Sequence, residues 1–125
     1  MAILPKDLYY AESHEWLKKD GDAYYFGITD YAQSELGDIV YVEAEPEGTE
    51  LEAGDIIGNI ESVKSASDLY APIAVEILEV NEALEDEPEL INQDAYENWI
   101  AKVRVVDEAE LDNLMDAAGY EAMIE

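Results

Sequence analysis

The chain has 125 residues, 49% of them hydrophobic, and carries a net charge of -26 from 32 Asp+Glu against 6 Lys+Arg. That length fits one domain with a modest core, and the charge argues against binding to nucleic acid or to anionic membranes. Cysteine is absent, which excludes a disulfide frame, a thiolate metal site and a cysteine nucleophile.

No apolar run approaches the roughly 20 residues that span a bilayer. The start, Met1-Ala2-Ile3-Leu4-Pro5-Lys6, lacks the apolar core and cleavage site of a secretory signal. Cytoplasm is the default expectation, with the mitochondrial matrix as the alternative if a transit peptide has been removed. The acidity favours partners with basic docking faces, although solubility or salt adaptation explains most of these carboxylates equally well.

In chain order, Leu8 to Trp16 reads as an extended entry segment. Lys18-Lys19-Asp20-Gly21-Asp22 reads as a polar hairpin turn ending in Asp-Gly, and Ala23 to Ile28 as a strand. Thr29 is placed to cap a short helix from Asp30 to Leu36, stopped by Gly37. Asp38 to Val42 is the next strand. Gly48, Gly54 and Gly58 read as scattered turn residues, with no phosphate-loop spacing.

Ile56 to Ile60 and Leu69 to Ile73 are short, β-branched or aromatic segments flanking a small polar stretch. Together they predict a hairpin with Lys64 at or near its tip. Val75 to Val80 is a strand. Glu82 to Leu90 is an acidic stretch whose charge run Glu85-Asp86-Glu87-Pro88 packs little. Trp99 to Val105 alternates as a last long strand. Asp107 caps a helix expected to run through Ala118 and to stop at Gly119, with one more turn at Tyr120 to Glu125. Many short strands and few helices indicate a small β-sandwich or flattened barrel. No linker divides the chain, so residues 1–125 are expected to form one domain, with 106–125 as a helical C-terminal extension.

The catalytic inventory is thin. His14 is the sole histidine, no Gly-x-Ser-x-Gly elbow exists, and any metal site has only hard oxygen ligands without loop spacing. A carrier needs different parts: one accessible lysine amine, with neighbours small enough for an enzyme to approach. Lys64 has Ser62, Ser65, Ala66 and Ser67 around it.

The stretch Glu61-Ser62-Val63-Lys64-Ser65-Ala66-Ser67-Asp68-Leu69-Tyr70-Ala71-Pro72 resembles the lipoyl-lysine hairpin of the glycine cleavage system H proteins. Biotin carriers set methionines beside their lysine, whereas Lys64 has Val63 and Ser65. Three further blocks resemble the same family in order: Tyr10 to Trp16, with its Ser13-His14-Glu15-Trp16; Gly27 to Gln33 with Leu36 to Val40; and Val80 to Leu84 with Pro88 to Asn92.

The resemblance implies a lipoyl/biotinyl-type barrel-sandwich hybrid, mainly β, with a short internal helix and C-terminal helices. It implies a non-enzymatic carrier with covalent lipoate on Lys64, and an arm cleft lined by Ser13, Glu15 and Asp68. It also implies partners: a pyridoxal-phosphate glycine decarboxylase, an aminomethyltransferase, dihydrolipoyl dehydrogenase, and a lipoyl ligase or transferase. Two rivals are a relay protein that passes lipoate onward and an unlipoylated interaction module.

Three places depart from the family pattern. Val75 stands where glycine is common, which predicts a remodelled or strained turn. Asp94-Ala95-Tyr96-Glu97-Asn98 lacks the usual Pro and Gly, which predicts a rebuilt loop. Tyr24-Tyr25 is bulkier than usual.

Overall fold

The structure is a computed structural model that describes residues 4–124; Met1 to Ile3, in the segment read above for a signal, and Glu125 lie outside the described residues. In chain order the strands are β1 (Tyr9–Tyr10), β2 (Glu15–Asp20), β3 (Ala23–Ile28), β4 (Ile39–Ala44), β5 (Glu50–Leu51), β6 (Ile56–Ser62), β7 (Ala66–Tyr70), β8 (Val75–Val80) and β9 (Ala101–Val105). The α-helices are α1 (Asp30–Leu36), α2 (Ala83–Asp86), α3 (Leu90–Gln93) and α4 (Ala117–Ile124), with a 3-10 helix at Glu108–Asn113.

Two antiparallel sheets result. The larger has the order β1-β2-β3-β9-β8-β5, and the smaller β4-β6-β7. No strand pairing joins them among the described residues, so the molecule is a flattened barrel-sandwich and not a closed barrel. Leu17, Phe26, Ile77 and Val103 of the large sheet share one buried core with Val42, Ile57, Ile60 and Leu69 of the small one.

The alternation of β2 gives the large sheet a second buried face. Leu17 enters the main core, while its neighbour Trp16 enters a separate cluster with Leu8, Tyr10 and Tyr120. Trp16 lies opposite Gly27 in the ladder, and a Cβ on Gly27 would stand 2.7 Å from the indole. Glycine there leaves room for the ring. The indole Nε1 donates to the Ile28 carbonyl at 2.7 Å. Helix α4 closes this cluster: Tyr120 stacks on Tyr10 with ring centroids 4.9 Å apart.

Several elements match their sequence reading, among them β3, β8 and α1 with its Thr29 cap and Gly37 stop. Others differ for identifiable reasons. Lys18 to Asp20 belongs to β2, not to a turn, because each pairs with a residue of β3; the turn is Gly21-Asp22 alone. The hairpin strands also reach further toward Lys64 than the apolar segments suggest. Ladder pairs continue to Glu61 and Ala66 through small polar side chains, leaving only Val63-Lys64-Ser65 as the turn.

Gly58 is a strand residue of β6, not a turn residue. An added Cβ would stand 2.2 Å from the Glu43 carbonyl oxygen of β4. The acidic stretch packs better than its charges suggest: it forms α2 and α3, which bury Leu84 and Ile91, and Pro88 is buried too.

Val75 sits in extended β8, paired with Leu51 and Val105 and fully buried. It needs no positive φ, so neither the remodelled turn nor the strain expected there arises. At the C-terminus, Asp107 does cap a helix, accepting from the Ala109 amide. That helix is the short 3-10 segment. The chain then extends through Leu114 to pair Met115 with Tyr10, and α4 starts afresh with Gly119 inside it. Pairing with β1 outcompetes a continuous helix at this point.

The loop at 94–98 is firmly tied without its Pro and Gly. The Asp94 carboxylate accepts from the Tyr96 and Glu97 amides at 3.0 and 3.1 Å. The Asn98 amide donates to the Leu90 and Asp94 carbonyls. The bulk of Tyr24-Tyr25 is also accommodated. Tyr24 is buried, and Tyr25 packs on Trp99 with centroids 5.0 Å apart.

Candidate functional site

The β6–β7 turn is shaped by Ser62. Its hydroxyl oxygen accepts from the amides of Lys64 and Ser65, both at 3.2 Å, and its own amide donates to the Ser65 carbonyl at 2.8 Å. A short side-chain acceptor at this position stands in for a longer backbone turn. Lys64 is exposed at the tip. Its Nζ donates to the Glu35 carbonyl at 2.8 Å, one of the carbonyls that the last turn of a helix leaves without a partner.

That contact makes the end of α1 part of the site. Asn92 of α3 fixes the end of α1 against β4. Its amide donates to the Gly37 carbonyl and the Gln33 side chain at 2.8 and 2.9 Å, while its oxygen accepts from the Ile39 amide at 2.8 Å. Asn92 was quoted above only within a resembling block; nothing in the local pattern marks a clamp that joins three separate elements.

Beside the lysine, a cleft of about 270 Å³ opens between α1 and the β6–β7 hairpin. Its apolar lining includes Ile28, Leu36, Ile60 and Leu69, and its polar lining Ser13, His14, Tyr31, Glu35, Ser67 and Asp68. Two of the three expected cleft residues, Ser13 and Asp68, are therefore in the lining. Glu15 is not. It is 1% exposed and reaches the cleft only through Ser13, whose hydroxyl donates to its Oε1. Its Oε2 accepts from the Tyr70 amide at 3.1 Å. A larger, more open hollow lies elsewhere, lined by Lys6, Lys19, Asp112 and Asp116, and does not include the hairpin tip.

Burial pushes the Glu15 carboxyl up from 4.5 to about 7, while the bonds from Ser13 and Tyr70 pull it the other way. A carboxyl raised on folding binds its proton more tightly in the folded state. The stability it contributes is full below about pH 4.5 and is lost as pH rises through about 7. Glu15→Gln is therefore expected to stabilise the fold by on the order of 2 kcal/mol at pH 8 and by little at pH 4. Denaturant unfolding of both proteins at the two pH values checks the sign.

The sequence marks His14 only as the sole histidine and as part of a resembling block, and the structure gives it a larger place. It has φ 74°, and no other non-glycine residue has positive φ among the described residues. The loop Glu12-Ser13-His14 is closed by the Ala11 amide on the Glu15 carbonyl and by the His14 amide on the Ala11 carbonyl, at 2.9 and 3.0 Å. Glycine usually fills this left-handed position, most other side chains cost about 1–2 kcal/mol there, and Asn, Asp and His are the commonest of them. His14 Nδ1 lies 2.7 Å from the Tyr120 hydroxyl, which lies 2.7 Å from the Thr29 hydroxyl. The same Thr29 oxygen accepts from Ala32 to cap α1. Burial lowers the His14 pKa, and Glu35 opposes that shift.

The two sheets with a lysine presented on a hairpin tip define the lipoyl/biotinyl-type carrier fold. The comparisons agree with that class and narrow it. A family model described as glycine cleavage H-protein matches residues 8–125. A curated relative from Bacteroides fragilis, a glycine cleavage system H protein, is 51% identical over 121 residues, 96% of each chain. One of the same description from Thermus thermophilus is 52% identical over 123 residues, 98% of this chain and 96% of the relative. The crystal structure of a glycine cleavage system H protein from Mycobacterium marinum superposes with a TM-score of 0.85 at 34% identity, covering 97% of this chain and 98% of that one. The chain belongs to the glycine cleavage H-protein family.

Proposed function

We propose that this chain is the lipoylated carrier of a glycine cleavage system, with the arm on Lys64, and that residues 1–125 act as one carrier unit. The observation that carries this reading is the position of Lys64 on a fixed three-residue turn, its Nζ against the end of the helix that walls a 270 Å³ cleft. Lipoate would supply a thiol that takes up an aminomethyl group from glycine and later gives it up.

The residues present suit such an arm. Acylation of Nζ removes the charge of Lys64 but leaves one N–H to donate to the Glu35 carbonyl. Leu36, Ile60 and Leu69 offer an apolar surface for the acyl chain and dithiolane. Ser13, Glu35 and Asp68 offer a polar edge for the ammonium of a loaded arm, with Glu15 orienting the Ser13 hydroxyl. The partners on this reading are a glycine decarboxylase, an aminomethyltransferase, dihydrolipoyl dehydrogenase, and a ligase or transferase that attaches lipoate.

Reconstitution tests the reading. The lipoylated chain should support release of the glycine carboxyl carbon as CO₂ by a glycine decarboxylase, and the unlipoylated chain should not. No release from a confirmed lipoyl form would favour the relay function instead.

The lifetime of the loaded arm should depend on the carboxylates. A charge-assisted hydrogen bond to an ammonium contributes roughly 1.5–3 kcal/mol. Asp68→Asn, which alters a group in the cleft lining, is expected to shorten the half-life of the aminomethylated form by about tenfold. Glu15→Gln, acting through Ser13, should shorten it less. Equal half-lives in all three proteins would make both carboxylates ordinary structural groups.

The acidic surface should assist docking. Two ion pairs form among the described residues, Lys102–Asp20 and Arg104–Glu76, so most of the acids among the described residues face outward without a basic ion-pair partner. Exposed charges are screened within about 8 Å at physiological ionic strength. Association with the decarboxylase should therefore slow as salt rises. Rates that stay flat, with folding checked in the same salt series, would assign the acids to solubility.

A further inference from the structure

His14 occupies a left-handed backbone position that most side chains avoid, and it faces the cleft that the proposed arm would use. A residue held at such a position points to a role for the side chain itself. The imidazole is fixed on one side by Tyr120 of α4 and packs near the Tyr31 ring of α1, with centroids 5.1 Å apart. The other charged or titratable groups facing this space are Glu35 on α1, Asp68 on β7, and buried Glu15 on the strand that follows His14.

The Tyr120–Thr29 relay accepts either charge state. In neutral His14, Nδ1 accepts from the Tyr120 hydroxyl, which accepts in turn from Thr29. In the cation, Nδ1–H donates to Tyr120, and Tyr120 donates to Thr29. Protonation thus reverses the direction of the hydrogen-bond chain and adds a charge in the cleft.

We propose that His14 and the cationic end of the loaded arm compete for one positive charge in this cleft, so that a neutral His14 admits the arm and a protonated His14 releases it. The proposal rests on the reading of Lys64 as lipoylated. With the ammonium absent, burial disfavours a proton on His14 and the Glu35 charge favours one, with Asp68 in the same lining. With the ammonium lodged among the same carboxylates, a second cation is repelled within a confined space. Coupling of this kind is reciprocal: the factor by which protonation weakens arm binding equals the factor by which the bound arm weakens protonation.

The test uses the lipoylated full chain and its single histidine, which gives one unambiguous Cε1–H resonance. A phosphine reduces the arm to the dithiol. Formaldehyde and ammonium then load it: thiol, formaldehyde and ammonium give the aminomethyl thioether as its ammonium plus water, with no electron transfer. His14 is titrated by NMR over about pH 5 to 8 with the arm as dithiol and as aminomethyl form.

Loading is expected to lower the His14 midpoint by about 0.7 pH unit, which is about fivefold in coupling. Repeating the pair of titrations in Glu15→Gln removes the neighbouring carboxyl that also titrates near neutrality, and the shift should persist. In the double variant His14→Asn with Glu15→Gln, where Asn tolerates the left-handed backbone, the half-life of the loaded arm relative to aminomethylated free lipoamide should lose the dependence on pH that Glu15→Gln alone retains. A midpoint unmoved by loading in both wild type and Glu15→Gln overturns the proposal while leaving the carrier reading intact. A chain whose Lys64 takes no lipoate overturns both.

Discussion

Lys64→Arg is expected to abolish attachment of lipoate outright while leaving the fold untouched. Arginine keeps the positive charge and a long stem, and its guanidinium can still donate to the Glu35 carbonyl that Lys64 now reaches at 2.8 Å. It lacks a nucleophilic amine at working pH, because the guanidinium stays protonated. The turn should persist, since Ser62 shapes it and the lysine side chain is exposed. Stability should change by no more than about 0.5 kcal/mol, the usual range for a surface site. Intact mass after co-expression with a lipoyl ligase reads the first effect, and denaturant unfolding the second. Lipoate retained by Lys64→Arg would move the attachment site elsewhere.

Gly58→Ala is expected to be the most destabilising single methyl that can be added to the hairpin. The new Cβ would stand 2.2 Å from the Glu43 carbonyl oxygen and 3.0 Å from the Ala44 Cα. Both are backbone atoms in the β4–β6 ladder, and no rotamer change moves them aside. The register shift beside Gly58, between Ile56 and Gly58 against β7, already bends this strand. Relief requires β4 to separate from β6, so the cost should reach about 3 kcal/mol or more. Gly48→Ala is a useful contrast. It has open space around its Cβ but a φ of 89°, so it should cost only the left-handed penalty of about 1–2 kcal/mol. Urea midpoints of the two variants rank the effects, and a Gly58→Ala protein as stable as wild type would refute the close approach.

Much of the fold was legible because its signals are local. Thr29 and Gly37 mark the ends of α1 by their own chemistry, and β3 and β8 by composition. The errors came where a distant partner decides the outcome. Lys18 to Asp20 looks like a turn until the pairing with β3 is known. The helix expected from 107 to 118 yields at Met115 because Tyr10 offers a strand partner from the other end of the chain. Val75 raised concern only through comparison with a family pattern; its burial in β8 makes it an ordinary core residue here.

The site divides along the same line. Lys64 stood out as a rare base between two strand-like segments, and Ser13 and Asp68 fall in the cleft lining. The burial of Glu15 was not legible, since a carboxylate between Ser-His and Trp carries no local sign of being enclosed. The placing of His14 by Tyr120, 106 residues away, and the clamp made by Asn92 depend on tertiary contacts that no spacing in the sequence reveals.

Site mapping of lipoate bears most directly on the carrier assignment. The wild-type chain is treated with a lipoyl ligase, ATP and lipoate, then digested and mapped by mass spectrometry. A single adduct is expected, on Lys64, with free amines at Lys6, Lys18, Lys19 and Lys102. An adduct on any of those four with Lys64 unmodified, or no adduct at all, would contradict it.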